Sequence, residues 1–258
     1  MKLVDTHTHL YLDNYDADRD EVIKDAIKKG VQHMLLPAID SKTFDAMKRL
    51  EQDYPDNCFA MIGLHPTSVA DDYESEMELV ENELQKGGYV AIGEIGIDLY
   101  WDSTYVKEQK DAFRRQLKLA KKYQLPVAIH TRDSFDEIYP IIKDENTDEL
   151  RGVFHCFTGS IEEANKIIDL GFMMGIGGIL TFKNSGLDKV VQTIPMEYLL
   201  LETDSPFLTP APYRGKRNQS AYLIYIAAKL AEVKNIKIEE VALITTKNAK
   251  ELFSKILH

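Results

Sequence analysis

The feature that most constrains this chain is a rhythm. Eight short apolar runs, at 3–5, 32–37, 58–63, 89–93, 126–129, 152–154, 172–176 and 198–201, alternate with stretches of helical character. Several runs are nearly continuous in Val, Ile, Leu, Ala and Met, as parallel strands covered on both faces are. Their starts lie 20 to 37 residues apart, room for a strand, a helix and two loops. Helices are predicted at 16–29, 41–53, 74–86, 107–123, 134–143, 160–170 and 187–193, then at 219–233 and 238–256. The stop at Lys28-Lys29-Gly30, a capping Ser41 and the stripe Phe113, Leu117, Ala120 support them, while Pro140 is a candidate break. The rhythm predicts an α/β chain folded as a (β/α)8 TIM barrel, one domain over residues 1–258. An open doubly wound sheet is the alternative, because strand order is not written in one sequence. There is no linker, low-complexity tract or internal repeat.

The histidines and carboxylates fall on this map at one place. His7 and His9 follow the first run, His65 the third and Glu94 the fourth; His130, His155 and Asp204 end the fifth, sixth and eighth. That is the carboxyl face, where barrel enzymes build their sites. Five of the seven histidines belong to the set, leaving His33 and His258 outside it. His7 and His9, two apart, share a side of an extended chain, so both imidazoles reach one centre. With Glu94, His130, His155 and Asp204 they make six nitrogen and oxygen ligands without cysteine. Six are too many for one tetrahedral zinc and suit two divalent metals, with Zn²⁺, Mn²⁺ and Mg²⁺ all compatible. Glu94 is the natural bridge, a hydroxide between the metals the expected nucleophile, and metal-assisted hydrolysis the reaction class.

These residues sit in blocks that carry a resemblance. Asp5-Thr6-His7-Thr8-His9, Gly63-Leu64-His65-Pro66, the segment from Ile92 to Asp98, the segment from Leu125 to Arg132, His155-Cys156-Phe157-Thr158-Gly159, Glu202-Thr203-Asp204-Ser205-Pro206 and the segment from Tyr213 to Asn218 resemble the TatD family of metal-dependent deoxyribonucleases. The HxH pair alone is weak, since the wider amidohydrolase superfamily uses it; seven blocks in order are specific. The resemblance implies hydrolysis of phosphodiester bonds in DNA, with nucleotides removed from a 3′ end in the 3′-to-5′ direction, on single strands or ends. It implies one metal on His7, His9 and Asp204, another on His130 and His155, with Glu94 between them and with His65 and Arg132 near the bound phosphate. Two positions depart from the family pattern, Gln219-Ser220 after the Arg-rich stretch and Leu99 after Ile97-Asp98, and they bear on substrate fit.

The residues fill in roles. Arg132 presents a planar fork suited to phosphate, and Asp204 can both bind metal and relay a proton. Arg214, Lys216 and Arg217 follow the eighth run on the catalytic face as a substrate grip. Tyr100, Trp101 and Tyr105 either stack on bases or cover a loop. Glu202 is a supporting carboxylate or a further base, and Asp5 a supporting one. Ser205 lacks a partner set for nucleophilic work. Gly175 to Gly178 make a tight turn or bring N–H groups to phosphate. Met34, Met61, Met173 and Met174 are core. The competing readings are a metal-dependent hydrolase of a small cyclic amide, ester or phosphoester, and a non-catalytic metal-binding protein, which would need a broken ligand set.

Charge narrows the partner. The net charge is −11, from 31 basic and 42 acidic residues, which excludes an all-over basic coat. It leaves room for a DNA end entering one metal-bearing mouth with Arg132 and the 214–217 loop beside it. No apolar run reaches the length of a membrane helix, the start does not read as a signal peptide, and Cys58 and Cys156 read as reduced thiols. A cytoplasmic protein is expected; a monomer is compatible with the sequence, which does not specify the oligomeric state.

Overall fold

The computed structural model describes residues 1–101, 103–147 and 149–257, with backbone alone at Leu257; His258 lies outside the described residues. The strands are β1 (Leu3–Asp5), β2 (Val31–Pro37), β3 (Cys58–Ile62), β4 (Ala91–Asp98), β5 (Val127–Arg132), β6 (Gly152–Phe154), β7 (Met173–Ile176) and β8 (Leu199–Leu201). They pair in parallel, in sequence order. The ring closes between its ends: Thr6 N–H donates to Leu201 O (3.1 Å), Asp204 N–H to His7 O (2.9 Å) and His9 N–H to Ser205 O (2.8 Å). That closure makes the sheet a barrel and disposes of the open-sheet alternative.

Around it lie α1 (Arg19–Lys28), α2 (Ser41–Asp53), α3 (Tyr73–Lys86), α4 (Val106–Tyr123), α5 (Phe135–Glu145), α6 (Ile161–Asp169), α7 (Leu187–Thr193), α8 (Leu223–Lys234) and α9 (Ile238–Leu252). No helix among the described residues is long and apolar enough to cross a membrane. Alternation along the strands divides the core. Cys58, Ala60 and Ile62 of β3 join the large cluster shared with the helices, whereas Phe59 and Met61 join a second, smaller one. That second cluster gathers Val4, Leu35, Ala91, Ala128, Val153 and Leu200 inside the barrel, sealed by Leu252, Phe253 and Ile256. The α9 segment crosses the amino end, where the Thr246 hydroxyl donates to Lys2 O (3.0 Å) and Lys255 Nζ to Tyr89 O (3.2 Å). Each large side chain buried there contributes about 1.5–3 kcal/mol. Met34, Met61 and Met174 are fully buried, and Met173 packs against the inner cluster.

Three local expectations need correction. The strands carrying Glu94 and His130 run on to Asp98 and Arg132, with Gly96 beside His130 and Asp98 beside Arg132, so both residues lie within strands. Their apolar pattern stops early because polar side chains and glycines occupy the carboxyl half. Gly96 is required there: its φ is +146° and a Cβ would meet His130 O at 2.0 Å. Pro140 does not break α5; it lies on the exposed face, so the carbonyl its missing N–H leaves free is not buried by the core. The cap of α2 is Asp40, in a reciprocal box with Thr43, while Ser41 N–H and Oγ donate to Glu76 (2.9 and 2.7 Å).

Candidate metal centre

Two residues past Ala128, Val153 and Leu200 come His130, within β5, and His155 and Glu202, each one residue beyond the end of β6 and β8. The alternation that fills the barrel with apolar side chains at one end therefore delivers polar ones at the other. At their centre lies Glu94, only 3% exposed. Its Oε2 is 3.0 Å from His7 Nε2 and 3.6 Å from His9 Nε2. Its Oε1 is 2.8 Å from His130 Nδ1, 2.9 Å from His155 Nε2 and 3.2 Å from His65 Nε2. Asp204 Oδ1 stands 3.6 Å from His9 Nε2 and 3.9 Å from His7 Nε2. All six residues expected as metal ligands converge, and His65 converges with them.

The partner on each ring's far nitrogen sorts the histidines. The Tyr11 hydroxyl donates to Pro37 O (2.6 Å), so it accepts from His9 Nδ1 (2.9 Å) and leaves Nε2 with a lone pair. His155 Nδ1 faces Glu202 Oε1 (3.2 Å), and His130 Nε2 faces Asp98 Oδ2 (2.8 Å). In their neutral forms both rings then turn a lone pair toward Glu94. His65 is wired the other way. Thr67 N–H donates to its Nδ1 (3.1 Å), which puts the ring proton on Nε2. His65 is thus a hydrogen-bond donor toward the centre, although its Nε2 lies within a ligand's reach. His7 stacks on His155 (centroids 3.7 Å, 14°), and its buried Nδ1 has no partner among the described residues.

The electrostatics match this wiring. Burial alone would raise the Glu94 carboxyl, but His155, His65 and His7 outweigh it and hold it well below the usual range. Burial likewise pushes the Asp204 carboxyl up, and the hydrogen bond to His9 with the charges of His155 and His7 overcomes it, holding the group below its usual range. Burial lowers His7 and His65; it also pulls on His130 and His155, yet the facing carboxylates raise both. Lone pairs and carboxylate oxygens aimed at one another repel unless a proton or a cation lies between them. His7, His9 and Glu94 form one group of ligand atoms within 4.8 Å of one another; His7, His155 and Asp204 form a second, and His65, Glu94 and His130 a third. This sulfur-free donor set fits divalent metal.

The surroundings separate supporting groups from working ones. Glu202 Oε1 accepts from His155 and from Cys156 N–H, and its Oε2 lies where a Gly175 Cβ would be, 2.1 Å away. This gives Glu202 the supporting role, and gives Gly175 its reason. Asp5 accepts from Thr203 N–H (2.9 Å) and Oγ1 (2.7 Å), and burial pushes its carboxyl up to about 7. The Ser205 hydroxyl is tied to Thr8 and Thr203, outside the imidazole set. Ser220 is buried with its hydroxyl on Thr8 (3.3 Å), so that departure lies in the bedding of the His7–His9 segment, not on a substrate surface. Cys58 and Cys156 are free thiols. His33 is remote, edge-on to Phe59 near the amino end. Sequence reasoning missed Asp98: besides His130, it accepts from Tyr100 and Trp101 N–H (2.9 and 3.1 Å). Its block was visible, but its partner was not.

The mouth is a cavity of about 420 Å³ lined by His65, Glu94, His130, Arg132, Trp101 and Phe207, among others. Trp101, Tyr100 and Phe207 are 66%, 55% and 52% exposed. The Arg132 guanidinium lies 4.0 Å from the Tyr100 ring centroid and 5.3 Å from that of Trp101. The 214–217 loop divides. Arg214 stacks on Phe182 (3.6 Å) and Lys216 lies over Tyr213 (5.6 Å), both exposed. Arg217 instead grips Asp18 with both amino groups (2.9 and 2.6 Å) and Asn14 O (2.6 Å), so its donors are committed inside the molecule.

Comparison with known proteins takes in all the motif blocks and runs on past them. The sequence profile described as "TatD related DNase" matches residues 4–254. A Bacillus subtilis protein, the uncharacterized metal-dependent hydrolase YabD, is 42% identical over 97% of this chain and 98% of its own. The Escherichia coli protein YcfH, with the same description, is 35% identical over 98% and 96%. Among solved structures, the E. coli TatD homologue YjjV superposes with a TM-score of 0.91 at 29% identity over 98% of both chains. A TatD family hydrolase from Entamoeba histolytica gives 0.84 at 25% identity over 98% of both.

Proposed function

This chain belongs to the TatD-related DNase family of metal-dependent hydrolases, and from that premise we propose that it cleaves phosphodiester bonds of DNA, removing nucleotides from the 3′ ends of single strands. The observation that carries the reading is the Glu94 carboxylate, with one oxygen toward His7 and His9 and the other toward His130 and His155. His7, His9 and Asp204 would hold one divalent ion, His130 and His155 another, with Glu94 shared. Bound there, two such ions supply Lewis acidity at the phosphate and lower the pKa of water.

The remaining work belongs to side chains. Glu94 fixes the separation of the two halves. Asp204 Oδ takes the proton of the attacking water and returns it to the leaving oxygen, so no net proton is left on the protein. His65 Nε2–H donates to a non-bridging phosphate oxygen, its tautomer fixed by Thr67. Arg132 presents its fork to the same phosphate, its plane set by Tyr100 and Trp101. The exposed aromatic rim suits flat bases and tolerates any sequence. That rim favours a polymer over a small cyclic ester or amide.

The deciding experiment is a panel of metals against substrates on EDTA-stripped protein, including oligonucleotides blocked at the 3′ or the 5′ end. Metal-restored release of nucleotides, stopped by the 3′ block alone, is the expected result. Restored turnover of small cyclic esters or amides with no cleavage of DNA would overturn the reading.

A further inference from the structure

Two grooves adjoin the mouth, and their charge is opposite. One, about 480 Å³, runs past Cys156 and is lined by Asp133, Asp136, Glu137 and Glu163. Lys110 pairs with Glu137 (2.5 Å), but the groove itself contains no Lys or Arg among its lining residues. The other, about 650 Å³, is lined by Phe182, Lys183, Asn184, Ser185 and Arg214 and contains no carboxylate. It meets the mouth at Ile179, which also lines the space holding Arg132, His155 and Asp204.

The basic groove is built, not incidental. Thr181 Oγ1 accepts from Ala211 N–H (2.9 Å) and donates to Gly178 O (2.7 Å), which stitches its two walls together. Arg214 Nη1 donates to Thr209 O (3.4 Å) and the guanidinium lies over Phe182, 3.6 Å from its ring centroid, on an exposed side chain. Among the described residues, neither Lys183 nor Arg214 pairs with a carboxylate. On a chain of net charge −11, two unneutralised cations beside the mouth mark where an anion is welcome.

Resting on the DNA reading above, we propose that this groove binds the single strand as it runs on from the scissile phosphate. Lys183 and Arg214 hold a neighbouring backbone phosphate, and the exposed Arg214 side chain stacks on a base. The acidic groove repels the same strand, so the two together set the direction in which the polymer lies. The substrate is then a strand with at least one nucleotide beyond the scissile one, and longer strands bind better than the minimal one.

The test compares an eight-nucleotide oligothymidylate with the dinucleotide on metal-loaded enzyme across a salt series. Wild-type enzyme is expected to show a roughly tenfold lower KM for the longer strand, the scale of one stacked base and one phosphate contact. In K183A/R214A that ratio falls toward one, and the salt dependence for the longer strand becomes shallower by about 0.7 in log–log slope, one phosphate's share. R214K keeps the slope and loses most of the stacking gain. An unchanged ratio in K183A/R214A, with wild-type enzyme cutting DNA, overturns the groove and leaves the nuclease reading standing. So does an equal collapse in K118A/K122A, which removes two exposed cations from α4 on the barrel's outside. Wild-type enzyme that cuts neither strand sinks both.

Discussion

The two ends of the barrel interior are made by the same strands and have opposite chemistry. At the amino end Leu35, Phe59, Ala128, Val153 and Leu200 pack under Phe253 with no polar partner to satisfy. At the carboxyl end, two residues farther along the chain from Ala128, Val153 and Leu200, His130, His155 and Glu202 surround buried charge. The apolar end stabilises by burial. The polar end costs desolvation that only its mutual hydrogen bonds and a bound cation offset. Stability and chemistry are therefore separated along the strand axis, by a single step of the pleat. The acidic and basic grooves repeat the lesson at the rim.

The sharpest way to break this separation is Glu94→Ala. Loss of the shared carboxylate should lower turnover by about 10³-fold or more, with metal stoichiometry reduced, because the preorganised charge at the reaction centre is gone. The thermal midpoint without metal should change little, since the substitution relieves the desolvation of a buried carboxylate but also removes the partner of His155, His65 and His7. Thermal unfolding and metal analysis check both; a large loss of stability would mean that the polar end carries the fold. Phe253→Ala is the converse. It should cost about 3–5 kcal/mol, or about 10 °C in the midpoint, while the folded fraction keeps its KM. A changed KM with an unchanged midpoint would erase the distinction between the two ends.

Next in size are the carboxylates that face the far nitrogens of the candidate ligands. Glu202→Gln and Asp98→Asn should each weaken metal binding by about 10–100-fold, because each fixes the far nitrogen of one imidazole. Titration calorimetry with Mn²⁺ or Zn²⁺ reads this directly. Asp98→Ala, which removes the oxygen that accepts from both the Tyr100 and the Trp101 N–H, should also loosen that segment and raise the KM for DNA as well. Glu202→Gln should leave that KM alone. Equal effects on KM would mean that the rim is not tied to one side of the centre.

What the sequence revealed and what it hid follow the same geometry. Continuous Val, Ile and Leu runs announce strands buried on both faces, which is why β1 and β6 are legible to the residue. The carboxyl halves of β4 and β5 were hidden, because Glu94, Gly96 and His130 break the apolar pattern to serve the site. The convergence of the candidate ligands was legible because each lies in the carboxyl half of a strand or just beyond it. The supporting groups were not: Asp98 shows its purpose only when β4 lies beside β5. The direction of His65 was hidden for another reason, since no spacing rule reports which ring nitrogen the Thr67 amide approaches. Arg217 was misleading because its partner lies 199 residues away.

Arg217→Ala tests where the mouth ends, and its effect is the smallest. The Arg217–Asp18 pair is part-exposed, so it contributes on the order of 0.2–1 kcal/mol, or about 1–3 °C in the midpoint at neutral pH. The hydrogen bond from Arg217 holds the Asp18 carboxyl below its ordinary range. Its contribution is therefore full above the unfolded value of about 3.9 and fades as pH falls through the lower folded value. The difference in midpoint between wild type and Arg217→Ala should be present at pH 7 and should narrow below about pH 4. The pair straps the loop after β8 to the turn before α1, two segments that both border the polar end. A midpoint difference that persists at pH 3 would show that Arg217 acts through its stacking on Tyr15, 4.5 Å from the ring centroid, instead of through its charge. A steeper loss in the salt dependence of DNA binding than in stability would extend the polar mouth outward to this strap.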